Sequence, residues 1–326
     1  MIRFLFALIL ALSPVAARAQ DQRVIRIWGP PAMRGIAERW AEEYRRVHPE
    51  ARFELTMRGS DTAIPGLYGG VADIALMGRA NDVVDDNGFS RTIGYPATRI
   101  EIANGSLSVP GKSDAIAILV DAANPIASIS LAQLASAVDC GGAVPAARTW
   151  GDLGLKGAWA AKPIRIHSYD FGSRTGAWFQ HVVTRDGRRM CWDRVAEYGD
   201  LRRHDGTIQA AADRIGDAAR GDRYALTIAN PAQARDGLKL VALADGKAAP
   251  VLPTAASVID RRYPLARRAY AFVDRKPGRP LDPRIAAFLR WTLSPAGQAL
   301  LAVDHGYLPL DRQTDAEQLA LLERMQ

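Results

Sequence analysis

Residues 263–310 read YPLARRAYAFVDRKPGRPLDPRIAAFLRWTLSPAGQALLAVDHGYLPL, and this stretch decides the fold. From Ala269 to Val273 small and aromatic residues alternate, the pattern of a half-buried strand. Lys276-Pro277-Gly278 supplies a turn. Asp282 followed by Pro283 is an N-cap with proline at the first helical position, where its missing N–H costs nothing. Ile285, Phe288, Leu289 and Thr292 then fall on one helical face. Ser294-Pro295 repeats the start signal, and Gly306 closes the second helix. The stretch predicts a strand, two capped helices and an extended exit.

Working outward, the amino-terminal part alternates in the same way. Val24–Trp28 is a short apolar strand broken by Gly29-Pro30-Pro31. A helix follows with Ile36, Ala37, Trp40, Ala41, Tyr44 and Val47 on one face, and Pro49 stops it. Phe53, Leu55 and Met57 alternate as a second strand. Gly59-Ser60-Asp61-Thr62 turns into a helix ending near Gly69-Gly70, and 72–77 is a third strand. This βαβαβ order belongs to doubly wound sheets, which bind ligands at the carboxyl ends of their strands. A second unit begins near Ile116 with a strand over 116–120. Ser130 and Gln133 form a capping box. A strand over 164–167 leads through Gly172-Ser173 into a helix carrying Trp178 and Phe179. Residues 208–219 read as helix and 224–228 as strand.

The 326 residues, 48% hydrophobic and 24% charged, suffice for two domains. Arg3, the apolar run Phe4–Leu12 and Ala17-Arg18-Ala19 have the three parts of a secretory signal, predicting a mature chain from Gln20 in the periplasm. Losing Arg3 and Arg18 lowers the formal charge from +7 to +5. The remaining arginines are scattered in pairs (Arg188-Arg189, Arg202-Arg203, Arg267-Arg268) that read as solvated surface. No basic helix interleaves aromatics as nucleic-acid binding requires, so no nucleic-acid partner is expected. Export permits a disulfide between Cys140 and Cys191, the two cysteines; two buried free thiols are the alternative. The five histidines, His48, His167, His181, His204 and His305, show no metal-ligand spacing. With neither a Walker loop nor a dinucleotide fingerprint, no metal or cofactor is expected.

The tyrosine-proline-leucine opening at Tyr263, the proline- and glycine-rich turn, the Ser294-Pro295 start and the GYLPL exit resemble the carboxyl-terminal segment of phosphate-type solute-binding proteins, periplasmic receptors of ABC transporters. The amino-terminal run WAEEYRRVHPEARFELTMRGSDTAIPGLYGGVADIALMGR, from Trp40 to Arg79, is similar to that family's first ligand segment. The resemblance covers nearly the whole mature chain. It implies a two-lobed type 2 periplasmic binding protein fold, each lobe an α/β doubly wound sheet, with the ligand cleft between lobes. The implied divisions are a signal at 1–19, a first lobe at 20–115, a second lobe at 116–255 and a return to the first lobe at 256–326. A monomer that hands a small anion to a membrane permease is implied as well.

Three strand–turn–helix segments carry the candidate site: Gly29 to Met33 (with Ala32), Gly59 to Thr62, and Gly172 to Thr175. Helix starts offer unpaired N–H groups and partial positive charge, which suit an oxyanion; each serine or threonine can equally serve only as a cap. The resemblance places Ser60 at a ligand-binding serine, and Ser173 and Thr175 on the serine and threonine of the family's S-G-T turn. The departures are specific. Pro30 and Pro31 remove donors from the first turn. Arg174 replaces the glycine of S-G-T, and Tyr169 stands where an arginine is expected. Met77-Gly78-Arg79 lacks the aspartate that phosphate-specific members carry after the third strand, which would disfavour a protonated oxyanion. Arg79 and Arg174 are candidate bidentate anion contacts, with exposed surface arginines as the alternative. Asp61 and Asp170 either accept hydrogen bonds from ligand or arginine, or serve as turn residues.

The leading expectation is therefore a solute-binding protein that captures phosphate or a phosphate-like oxyanion. The alternative is an envelope or sensory binding protein that has lost high-affinity phosphate specificity. An enzyme is not expected: Ser173, Asp170 and His167 or His181 could suggest a triad, yet no G-x-S-x-G elbow exists.

Overall fold

The chain's alternation of short apolar runs and amphipathic helices folds into a five-stranded sheet, a six-stranded sheet and a small two-stranded one, described by a computed structural model over residues 24–107, 109–140, 146–184, 190–304 and 306–324. The signal segment and its cleavage site, Arg188-Arg189 and His305 lie outside the described residues.

In chain order, β1 (Val24–Gly29) leads through a one-turn 3-10 helix (Pro31–Met33) into α1 (Arg34–Val47). Then come β2 (Arg52–Met57), α2 (Ser60–Tyr68), β3 (Ile74–Met77), α3 (Val83–Ile93) and β4 (Thr98–Asn104). The next stretch holds β5 (Ala117–Asp121), β6 (Ser128–Ser130), α4 (Leu131–Val138), β7 (Arg165–Tyr169), α5 (Arg174–Thr184) and β8 (Val195–Tyr198). After it lie β9 (Leu201–Arg202), β10 (Ile208–Gln209), α6 (Ala211–Arg220), β11 (Ala225–Ala229), β12 (Leu238–Ala244) and α7 (Ala255–Ile259). The chain ends with β13 (Arg268–Val273), α8 (Pro283–Thr292), α9 (Pro295–Ala299), α10 (Leu301–Asp304) and α11 (Arg312–Glu323).

Two compact units result. The first takes the described residues of 1–103, 269–305 and 312–326, and the second those of 104–268 and 306–311. Beside the expected divisions at 115/116 and 255/256, the units divide at 103/104 and 268/269. Backbone pairing accounts for the difference: Gly105 donates to the Arg267 carbonyl, Ile116 to Leu265, and Asn104 and Leu308 bond each other.

The first unit's sheet has the order β2-β1-β3-β13-β4. Strands β2, β1 and β3 run parallel, and β13 enters antiparallel beside β3. Their carboxyl ends, at Gly29, Met57 and Met77, therefore lie along one edge. Ala63, Ile64, Leu67, Phe89 and Phe272 pack under this edge. The second unit's sheet has the order β6-β12-β5-β11-β7-β8, mixed parallel and antiparallel. Its core includes Ile118, Leu119, Trp150, Phe179, Ile215 and Ile228.

The capping signals appear as read. Ser130 and Gln133 form a reciprocal box, Asp282 caps α8 with Pro283 at its first turn, and Ser294 caps α9. One helix is corrected: over 208–219, Ile208–Gln209 pairs with β9 as a hairpin and the helix begins only at Ala211. Ala210 has no side-chain oxygen to cap a helix; instead the Asp200 carboxylate accepts from the Ala211 N–H.

Candidate functional site

In the first unit, the β1 exit offers few donors. Pro30 and Pro31 have no N–H, and Met33 gives its N–H to the Pro30 carbonyl while its side chain is buried in the core. Only Ala32 in that turn keeps an N–H to offer. The exit of β2 is more open. Gly59 holds a φ of 144°, which a side chain would strain, and its N–H bonds the Gly29 carbonyl, tying the two turns together. Ser60 and Asp61 then open α2 without any side-chain cap. The Thr62 hydroxyl is committed to the Gly59 carbonyl at 2.9 Å.

At the exit of β3, Gly78 hands the chain to Arg79, whose guanidinium is met by carboxylates. Asp85 bonds it directly, and Asp61 and Asp82 lie 3.5 Å away. Arg79 also donates to the Ala80 carbonyl at 3.0 Å. Asp82 and Asp85 form the capping box of α3, so Arg79 is drawn into that helix start. The stretch 77–79 carries no acid, as read, but the α2 and α3 starts bring three carboxylates to its arginine.

In the second unit, Asp170, Ser173, Arg174 and Thr175 share one turn between β7 and α5. Asp170 organises it: its carboxylate accepts from Gly172 N–H at 2.8 Å, and its carbonyl accepts from both the N–H and the hydroxyl of Ser173. Ser173 Oγ in turn accepts from Gly176 N–H at 3.0 Å, as an N-cap does. A Cβ at Gly176 would lie 2.3 Å from the Asp170 carbonyl oxygen, so only glycine permits this close start. The Ser173 proton is thus spent inside the turn. Arg174 is exposed. The Thr175 hydroxyl receives a hydrogen bond of 2.7 Å from Arg267 Nη1.

Arg267 is the functional candidate that sequence reading missed; it counted as half of a surface pair. Its partner is 92 positions away, and no local pattern signals such a contact. Tyr169, at the expected arginine position, is buried, and burial foremost raises its hydroxyl pKa, so it remains a neutral phenol. Asp114 adds to that rise and Arg267 opposes it, which places both charges around the end of β7. Asp114 accepts from Asn230 Nδ2 at 3.2 Å.

Ser173, His167 and Asp170 do not form a Ser–His–Asp relay. His167 Nδ1 faces the Tyr198 hydroxyl at 2.9 Å and Nε2 faces Asp222 at 3.3 Å, while the Ser173 hydroxyl serves the Asp170 carbonyl. Cys140 and Cys191 are joined in a disulfide, with Cα atoms 4.5 Å apart. Asp193 lies near both sulfurs, but sulfurs committed to each other are poor metal ligands, so this cluster makes no metal centre.

A family model for a PBP superfamily domain matches residues 15–296. The chain is similar to the phosphate-binding protein PstS of Pseudomonas aeruginosa, with 31% identity over 286 residues covering 86% of this chain and 81% of that protein. Among solved structures, PstS from Borrelia burgdorferi superposes with a TM-score of 0.60 at 15% identity, covering 89% of this chain and 99% of that one. An ABC-type phosphate transport receptor from Vibrio cholerae superposes with a TM-score of 0.56 at 19% identity, covering 87% and 99%. These superpositions identify the fold as that of type 2 periplasmic binding proteins.

Proposed function

The chain belongs to the PBP superfamily, and on that premise we propose that it is a periplasmic solute-binding protein that captures phosphate or a phosphate-like oxyanion and delivers it to the permease of an ABC-type importer. The observation that carries this reading is the 31% identity to a phosphate-binding protein along 86% of the chain. The site residues support it physically. The α2 start at Ser60 has no side-chain cap, and the α5 start carries a threonine hydroxyl backed by an arginine. Helix starts and a guanidinium bind an oxyanion without chemistry on it.

A second reading, an envelope or sensory binding protein without high-affinity phosphate capture, is favoured by the three carboxylates around Arg79 and by Tyr169 in place of an arginine. Thermal unfolding of the mature chain, begun at Gln20, separates the two. Phosphate, sulfate, molybdate, a phosphonate and small carboxylates are the ligands to compare. A ligand at 100 times its Kd adds about 2.7 kcal/mol of stability. The transporter reading expects phosphate or a close analogue to do so at micromolar concentration. Stabilisation only at millimolar levels supports the second reading. Silence to every anion, or turnover of a chromogenic phosphate ester, rejects both.

A further inference from the structure

We infer that Arg267 is the anion-holding cation of the second unit, supplied by the segment that leads into β13 in place of an arginine at the end of β7. The inference rests on the oxyanion-binding reading and adds a residue to it.

Three observations converge. First, Arg267 Nη1 donates to Thr175 Oγ1 at 2.7 Å, on the second residue of an eleven-residue helix. A threonine hydroxyl has one proton. With its oxygen accepting from a guanidinium, that proton is left to be given, and Thr175 makes no other side-chain hydrogen bond among the described residues. Arg267 thereby sets Thr175 as a donor at a helix start, where an anion needs donors. Second, Arg267 Nε is buried with no hydrogen-bond partner. A guanidinium N–H kept from water and unpaired is costly, and an oxyanion removes that cost. Third, no carboxylate ion-pairs with Arg267 within 4 Å among the described residues; Asp114 shares its surroundings without bonding it, so the guanidinium keeps N–H groups to offer. The contrast with Ser173 sharpens the assignment, since that hydroxyl already gives its proton to Asp170. Burial raises the pKa of the Tyr169 and Tyr307 hydroxyls and Arg267 partly opposes that rise at both, in keeping with its bond to Thr175.

Calorimetric titration of the mature chain with inorganic phosphate and with sulfate tests the inference. The variants are Arg267→Gln, Arg267→Lys, Thr175→Val and the double variant Arg267→Gln/Thr175→Val. Arg267→Gln should weaken binding about ten- to hundred-fold, the worth of a charge-assisted hydrogen bond. Arg267→Lys, which keeps the charge but loses the fork, should recover part of that loss. Thr175→Val should weaken binding about five-fold, and the double variant should bind within about two-fold of Arg267→Gln, because the hydroxyl acts through the arginine. An Arg267→Gln protein with a lowered ligand-free Tm but unchanged affinity assigns the residue a structural role and overturns the inference. If Arg267→Gln fails to fold, Thr175→Val decides: unchanged affinity overturns the inference and a five-fold loss supports it. Wild-type protein that binds no anion removes the function proposed above and this inference with it. Wild-type binding with an indifferent Arg267→Gln removes this inference alone.

Discussion

Arg79 in the first unit and Arg267 in the second invite comparison, because each stands near the carboxyl end of a strand and each has a buried Nε without a hydrogen bond. Their neighbours differ. Arg79, 16% exposed, is enclosed by Asp61, Asp82 and Asp85. Arg267 meets a threonine hydroxyl and no carboxylate among the described residues. A guanidinium already matched by carboxylates offers an incoming anion little attraction, and the surplus acid around it repels. On the inference drawn above, what separates the two arginines is the carboxylates paired with them and not their place at a strand end.

The units also differ in how they are held together. The second unit contains the Cys140–Cys191 bridge, closing 51 residues of chain, whereas no other cysteines exist to staple the first. The loop-entropy relation assigns such a closure about 4 kcal/mol, the largest effect expected here. Cys140→Ala/Cys191→Ala, or reduction, should cost the second unit that much. Hydrogen exchange should register it at β7 and β11 amides, with β1 and β3 protected as before. Thiol counting on unfolded, unreduced protein checks the premise, and two free thiols would end it.

Next in size is Arg79→Ala. It leaves Asp85, 10% exposed, without its cation, and breaking a largely buried pair costs about 3 kcal/mol. Anion affinity, by contrast, should change less than about three-fold. A stable Arg79→Ala protein that has lost tenfold or more in phosphate affinity would reverse the comparison, making Arg79 the ligand residue.

How far the sequence shows these things depends on the range of the interaction. Helix starts were legible wherever a side chain caps its own backbone, as at Ser130 with Gln133 and Asp282 with Pro283. The alternation of strand and helix from Val24 to Met77 was legible because each apolar face repeats locally. Arg79's commitment was legible in principle. Asp82 and Asp85, three and six residues on, have the spacing of a capping box, which puts carboxylates within reach of the arginine. The edge hairpin of β9 and β10 was hidden because two-residue strands have no period. Arg267 was beyond reach. Beside Arg268 it looks like an ordinary basic surface pair, and what distinguishes it is a partner brought near only when β7 and the segment before β13 fold into one unit.

The smallest effect expected concerns Ser173, and it separates the two hydroxyls of one turn. By resemblance Ser173 and Thr175 are both ligand residues; by geometry only Thr175 has a proton to give. Ser173 Oγ gives its proton to the Asp170 carbonyl and accepts the Gly176 N–H at 3.0 Å, which leaves an incoming oxyanion no donor from that side chain. Ser173→Ala should therefore cost about 1 kcal/mol of stability, the worth of an N-cap, and change phosphate affinity by less than about two-fold. Thr175→Val, which takes the acceptor from Arg267 Nη1, should cost a similar amount of stability but, unlike Ser173→Ala, weaken binding about five-fold. Chemical denaturation and calorimetry on the two variants read both quantities. A Ser173→Ala protein that keeps its stability but loses ten-fold in affinity would show that the serine hydroxyl swings from Asp170 to the ligand on binding, and the distinction between the two hydroxyls would fall.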